Sequence, residues 1–274
     1  MDKIIPLTLI IFCHFGFILT IPSKNNTGCV EQSLIGKNNL NIPDSSYTAS
    51  SYYKRSSIPG DVRYTPYNAK LNGSYGWATR DNNNPDDYLQ IDLGIPRVIT
   101  AVETQGNNFS DEWVSKYKIH HSDNLTKWTS YAENKIFEGN QNRYGIKRHD
   151  LSQNPLTARY IRFVPVTYNG HKTMRVDISV AYQEVPVVSA IPQQRSIQLS
   201  WTIKECNLTA PITGFVIRNG SKDLYVSGSD RQYALLGLKP YTDYDLRVLA
   251  KTRVNGSWSE TTKIKTKEDG KILS

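Results

Sequence analysis

Seven asparagines, Asn25, Asn72, Asn108, Asn124, Asn207, Asn219 and Asn255, each open an Asn-x-Ser/Thr triplet with no proline in the middle. That spacing is the acceptor for N-linked glycan, so the commonest chemistry written in this chain is its own modification in the secretory pathway. Three cysteines follow the same logic. Cys13 lies in an apolar leader and leaves with it, so the mature chain keeps Cys29 and Cys206 in a compartment where an unpaired thiol is a liability. Catalytic and metal constellations are poor. His120-His121 falls in a strand pattern, which sends the two imidazoles to opposite faces and prevents a shared metal. Asp86-Asp87 and Asp111-Glu112 read as solvated turn residues. No Gly-Lys-Ser/Thr loop, His-Glu-x-x-His helix or Gly-x-Ser-x-Gly elbow occurs, so the chain is expected to be non-enzymatic, with no cofactor and no metal site.

The leader itself is Met1 to about residue 22: a short polar start, then an apolar run from Ile4 to Ile21. It reads as a signal peptide cut between Gly16 and Lys24, and an uncleaved membrane anchor is the competing reading. The expected localisation is secreted and extracellular. The 33 Lys and Arg against 25 Asp and Glu give a formal charge of +8, spread along the chain with no basic block and no interleaved aromatic and basic residues. A nucleic-acid groove is therefore not expected, while anionic glycans or lipid headgroups stay open as partners.

The rest of the chain must be all-β. Short apolar runs recur between turn signals at Ile91 to Leu93, Val98 to Val102, Tyr117 to His121, Arg159 to Val164 and Arg175 to Val180, and helical periodicity is nowhere sustained. In Leu89-Gln90-Ile91-Asp92-Leu93-Gly94 three branched side chains alternate with polar ones, a half-buried strand that Gly94 should end. From residue 184 a second β-rich segment begins with almost no linker. Ile197-Gln198-Leu199-Ser200-Trp201 alternates as a strand with an inward Trp, and Tyr233 to Leu238 leads to Lys239-Pro240-Tyr241-Thr242-Asp243-Tyr244. The expected organisation is a signal peptide over 1–22, domains over 27–183 and 184–268, and a polar tail over 269–274.

An ordered set of motifs gives the first domain a resemblance. It comprises Thr48-Ala49-Ser50-Ser51, Ala69-Lys70-Leu71-Asn72, Trp77, Leu89 to Gly94, Thr104-Gln105-Gly106, Trp113-Val114, Tyr117-Lys118-Ile119, Trp128, Phe137-Glu138-Gly139-Asn140, Ala158-Arg159-Tyr160-Ile161-Arg162 and Met174-Arg175-Val176. Together these resemble the discoidin, or coagulation factor 5/8 type C, domain. The resemblance implies a jelly-roll barrel of galactose-binding-like topology. Two departures stand out: Tyr88 replaces the usual Trp, and Ser179-Val180-Ala181-Tyr182 lacks the usual closing Cys. The second segment, with Trp201, Leu238, Pro240 and Tyr244, resembles a fibronectin type III domain and its tyrosine corner.

The discoidin resemblance also implies a binding end built from the loops 51–67, 72–80 and 106–112. By analogy with members that bind anionic phospholipid, the candidate apolar tips are Ile58, Val62, Tyr64, Tyr75 and Phe109, and the candidate basic collar is Lys54, Arg55, Arg63 and Arg80. Tyr64 and Tyr67, flanking Pro66, are expected to pack the loop on the barrel in preference to meeting lipid. Phe109 lies inside the sequon of Asn108, and Asn72 sits near Tyr75, so glycans there would hold the tips out of a bilayer. The expected partner is therefore a cell-surface or matrix glycan or protein, with anionic phospholipid as the alternative and an accessory module of an enzyme as the disfavoured third. No Arg-Gly-Asp triplet is present, and the fibronectin-like segment reads as a spacer with Asn255 in its last hairpin loop. Since discoidin ends lie close together and Cys206 falls at the pole facing them, Cys29 and Cys206 can meet across the junction. An intermolecular bridge or free thiols are the alternatives.

Overall fold

The computed structural model describes residues 29–35, 42–55, 57–252 and 255–269. The leader, the predicted signal cleavage, Asn25 and residues 270–274 of the tail lie outside them, as does the side chain of Asn255. Apart from two 3-10 turns, the regular structure of the described residues is all strand.

The first domain contains β1 (Cys29–Ser33), β2 (Tyr47–Ala49), β3 (Trp77–Ala78), β4 (Leu89–Gln105), β5 (Trp113–Ser122), β6 (Thr129–Ser130), β7 (Phe137–Glu138), β8 (Lys147–Asp150), β9 (Leu156–Asn169) and β10 (Thr173–Gln183). They run β1-β10-β4-β9-β5-β6, with β2 and β8 also on β4, β3 on β10 and β7 on β5. Long antiparallel strands with alternating burial leave one face to the core, where Trp77, Leu89, Ile91, Tyr117, Phe137 and Phe163 are at most 1% exposed.

Gly94 does not end the central strand. Its φ of +77° lets the chain bulge, so that Asp92 pairs with Tyr160 but Arg97 already pairs with Ala158, and β4 then continues to Gln105. Alternation predicted the faces correctly, but a glycine in a strand bends as readily as it stops.

The second domain is two packed sheets. β11 (Val187–Pro192), β12 (Ser196–Thr202) and β15 (Gln232–Leu236) form one. β13 (Gly214–Asn219), β14 (Lys222–Ser227), β16 (Asp243–Lys251), β17 (Asn255–Trp258) and β18 (Thr262–Lys265) form the other. Trp201 is 2% exposed and lies 5.3 Å from the ring of Phe215. The Tyr244 hydroxyl accepts the Lys239 backbone N–H at 2.9 Å, tying β16 back to its preceding turn. Asn255 opens β17, opposite Lys251, rather than lying in the hairpin loop as expected.

Candidate functional site

At the end of the first domain where β4 and β9 stop and β5 and β10 begin, the loops meet around buried polar side chains. The guanidinium of Arg175, 3% exposed, donates to the carbonyls of Gly106 (2.8 Å), Gly73 (2.9 Å) and Arg143 (3.3 Å). One residue therefore fastens the 72–80 and 106–112 loops and the turn through Arg143 to the barrel, and burial holds its pKa below the ordinary arginine value. Gly106 is required at this crossing, since a Cβ there would lie 2.7 Å from Arg143 Cα and 2.8 Å from Glu112 O. The 51–67 loop is anchored separately: Trp77 Nε1 donates to Ser51 O at 2.9 Å, and the Tyr53 N–H to Ala78 O at 2.9 Å.

Asp87 is not the solvated turn residue expected. It is 1% exposed, accepts from Ser50 Oγ (2.8 Å) and Ser51 Oγ (3.0 Å), and pairs with Lys172 Nζ at 3.2 Å, itself 3% exposed. An acidic pair in a loop pattern looks solvated until a lysine 85 positions away is folded against it. This pair joins the start of β4 to the β9–β10 turn, at the same end as the loops.

The predicted tips divide. Ile58, Val62 and Phe109 are 42%, 47% and 58% exposed. Tyr75 is instead half-buried with its ring 5.6 Å from Phe109, and Tyr64 is half-buried edge-on to Tyr53 at 5.5 Å. Tyr64 thus packs within its loop, as preferred for it, whereas Tyr75 is a support where a free tip was expected. Lys54, Arg55 and Arg80 are exposed, and Lys54 lies 5.0 Å over the Tyr52 ring.

Arg63 does not join them as a free cation. It forks onto Asp61, Nε to Oδ1 at 2.8 Å and Nη2 to Oδ2 at 2.7 Å, and that hydrogen bonding pulls the Asp61 carboxyl down to about 2. Two residues the sequence did not single out complete the end: Tyr53, 40% exposed, and His171, whose ring is 6.2 Å from it and whose Nε2 bonds Thr79 O at 2.8 Å. Loop residues have no periodicity to tell which way they face, so only the fold could place them.

The sequon asparagines Asn72, Asn108, Asn124 and Asn207 are exposed, and Asn219 is half-buried at the end of β13. Asn108 Nδ2 donates to Ser74 O at 3.3 Å, linking two of the loops. On β5, His120 and His121 face opposite sides, since they pair with outward Arg162 and buried Ile161 respectively.

At the opposite end Cys29 and Cys206 form a disulfide, with Cα atoms 4.4 Å apart. Beside it the amide of Gln183 bridges the domains, donating to Lys204 O at 2.7 Å and accepting from the Cys206 N–H at 2.8 Å.

Known proteins place this architecture. Residues 46–178 match the F5/8 type C domain and residues 186–265 the fibronectin type III domain. Lactadherin of Mus musculus is 35% identical over 175 residues, which are 61% of this chain and 37% of that protein. Contactin-associated protein 1 of Homo sapiens is 40% identical over 124 residues, 44% of this chain and 8% of that one. The chain thus spans about two fifths of the lactadherins it matches. Discoidin II from Dictyostelium discoideum covers 75% of this chain, at 17% identity and a TM-score of 0.41. The chain therefore carries an F5/8 type C, or discoidin, domain followed by a fibronectin type III domain.

Proposed function

We propose that this is a secreted, non-enzymatic recognition protein whose discoidin domain binds a cell-surface or matrix ligand, a glycan or a protein, through its loop end. The observation that carries the reading is the construction of that end. Loops from distant parts of the chain are fastened by Arg175 and by the Asp87–Lys172 pair, while Ile58, Val62, Phe109 and Tyr53 remain exposed above them. Rigid supports under exposed aromatic and basic side chains are what a preorganised contact surface needs, because little ordering remains for the ligand to drive.

Binding of anionic phospholipid is the second reading, favoured by the three exposed apolar tips. It is weakened by the collar, which Arg63 leaves for Asp61, and by the two exposed sequon asparagines, Asn72 and Asn108, beside Tyr75 and Phe109. A glycan array and a cell-surface binding screen on the glycosylated protein test the first reading. Ile58→Ser with Phe109→Ser should abolish the binding found there and change stability by no more than about 0.5 kcal/mol, since exposed tips contribute little to the core. Tight calcium-independent sedimentation with phosphatidylserine vesicles, in glycosylated and deglycosylated protein alike, would establish the second reading instead.

A further inference from the structure

The outward face of the discoidin sheet carries a row of side chains directly opposite one another on four strands: Gln90 on β4, Arg162 on β9, His120 on β5 and Ser130 on β6. Arg162 is clamped in it. Its guanidinium carbon lies 3.7 Å from the centroid of the Tyr88 ring and 3.6 Å from that of Trp128, and its Nε donates to Gln90 Oε1 at 2.9 Å. Trp128 is fixed in turn, its Nε1 donating to Leu125 O at 3.1 Å.

No carboxylate pairs with this arginine among the described residues, whereas Arg63, Arg159 and Arg218 each have one and Arg148 has two. The carboxylate nearest along that face of β4, Asp92, is already forked onto Arg159 at 2.8 Å, and the neighbours on the β5 side are basic. The His120 imidazole is held below its ordinary pKa chiefly by burial, and further by Lys118 and Arg162. Lys118 projects from the same face of β5, two residues or about 7 Å along the strand from His120.

A guanidinium with both faces covered and one edge satisfied has its remaining N–H groups aimed in one plane. The rotamer entropy that an arginine usually loses on binding has already been lost, and a planar fork of donors matches two oxygens of a carboxylate or sulfate. Lys118 adds a point charge beside the fork. The surface is the side of a sheet, without the projecting apolar tips that entry into a bilayer needs, and the ring edges of Tyr88 and Trp128 border the fork as apolar contacts for a sugar.

We propose that this face is an acidic-glycan site, in which Arg162 receives a sulfate ester or uronate carboxylate and Lys118 the next anionic group along the chain. The site lies on the side of the sheet, bordering the loop end at Tyr88, and does not rest on the reading given to the loops.

The test uses the full, disulfide-intact protein at physiological ionic strength, with a heparin-derived oligosaccharide of defined length and its desulfated counterpart as probes. Arg162→Gln should weaken binding of the sulfated probe about tenfold or more, the usual scale for a lost charge-assisted hydrogen bond, and Lys118→Gln by a few-fold. Lys263→Gln, which removes an exposed charge from the second domain, should change it less than about twofold. The Trp128 indole N–H resonance should move on titration with the sulfated probe, and more weakly with inorganic sulfate. Equal losses in Arg162→Gln and Lys263→Gln, or a stationary Trp128 resonance, would overturn the proposal and leave only diffuse attraction to a cationic chain. Should Arg162→Gln fail to fold, Lys118→Gln matching Lys263→Gln in affinity would overturn it equally. The Ile58→Ser, Phe109→Ser protein should retain this binding, so failure of the loop reading and failure of this one are told apart.

Discussion

In the discoidin domain four charged side chains, Asp87, Lys172, Arg175 and Asp177, are at most 3% exposed, whereas the described residues of the fibronectin domain include no charged side chain among the buried ones. The second domain closes its core with Ile197, Leu199, Trp201, Phe215, Leu246 and Val248, and keeps its ion pairs, such as Arg218–Asp223 and Lys265–Asp243, on the surface. The difference follows from how the strands are connected. Short hairpins satisfy their own backbone groups, but the long loops of the first domain bring unpaired carbonyls and N–H groups inside, and buried side chains must meet them. A charged residue inside a β domain is here the mark of a loop being held in place.

The largest test of that contrast is the buried pair. Lys172→Met strands Asp87 without its cation and should cost about 3–5 kcal/mol in thermal or urea unfolding, while Lys265→Met at the exposed Asp243 pair should cost less than about 1 kcal/mol. Equal costs would show that burial of the charge is not what distinguishes the domains.

Core truncation should not distinguish them. Ile91→Ala in the first domain should lose about 2–5 kcal/mol and Trp201→Ala in the second about 3–5, because both side chains lie at the centre of an apolar cluster. An Ile91→Ala protein of unchanged stability would mean that the central strand is misplaced.

The disulfide sharpens the comparison from the junction. The bridge closes a sequence separation of 177, and replacing Cys29 and Cys206 by Ser should cost at most about 5 kcal/mol by loop entropy. Calorimetry should then resolve two unfolding transitions where the bridged protein shows greater coupling.

The smallest effect expected is on pH. His120, His121 and His149 of the first domain are each held below the ordinary histidine value, first of all by burial; the ring of His149 also packs against Phe137 at 5.0 Å. An unfolded histidine titrates near 6.5. Below that pH the unfolded chain takes up protons that the folded one resists, so this stability is fully present above about 6.5 and is lost as the pH falls toward the lower folded values. The fibronectin domain has no histidine. Hydrogen exchange between pH 7.5 and 5.5 should therefore show the amides of β5 losing protection relative to those of β13, and His149→Phe should reduce the difference.

Much of the fold was legible in particular residues. Leu89, Ile91 and Leu93 announce an inward face, and all three are at most 1% exposed. Trp201 and Tyr244 mark the second domain in the same direct way, because strand alternation and a corner hydrogen bond are local. The candidate site was legible only as a set of loop ranges. Ile58, Val62 and Phe109 stand exposed, but Tyr64 and Tyr75 turn inward, Arg63 is taken by Asp61, and Tyr53 and His171 enter unannounced.

By itself the sequence determined two all-β domains, their order, their inward faces and the loops at one end, since period-two alternation and turn residues act over a few positions. Only the tertiary structure decided that Gly94 bends a strand instead of ending it, that Asp87 meets Lys172, that Arg175 fastens the loops, that Arg162 sits between Tyr88 and Trp128, and that Cys29 meets Cys206. Each of these depends on residues brought together from far apart in the chain. Their energies come from burial and geometry that exist only once the sheets have closed.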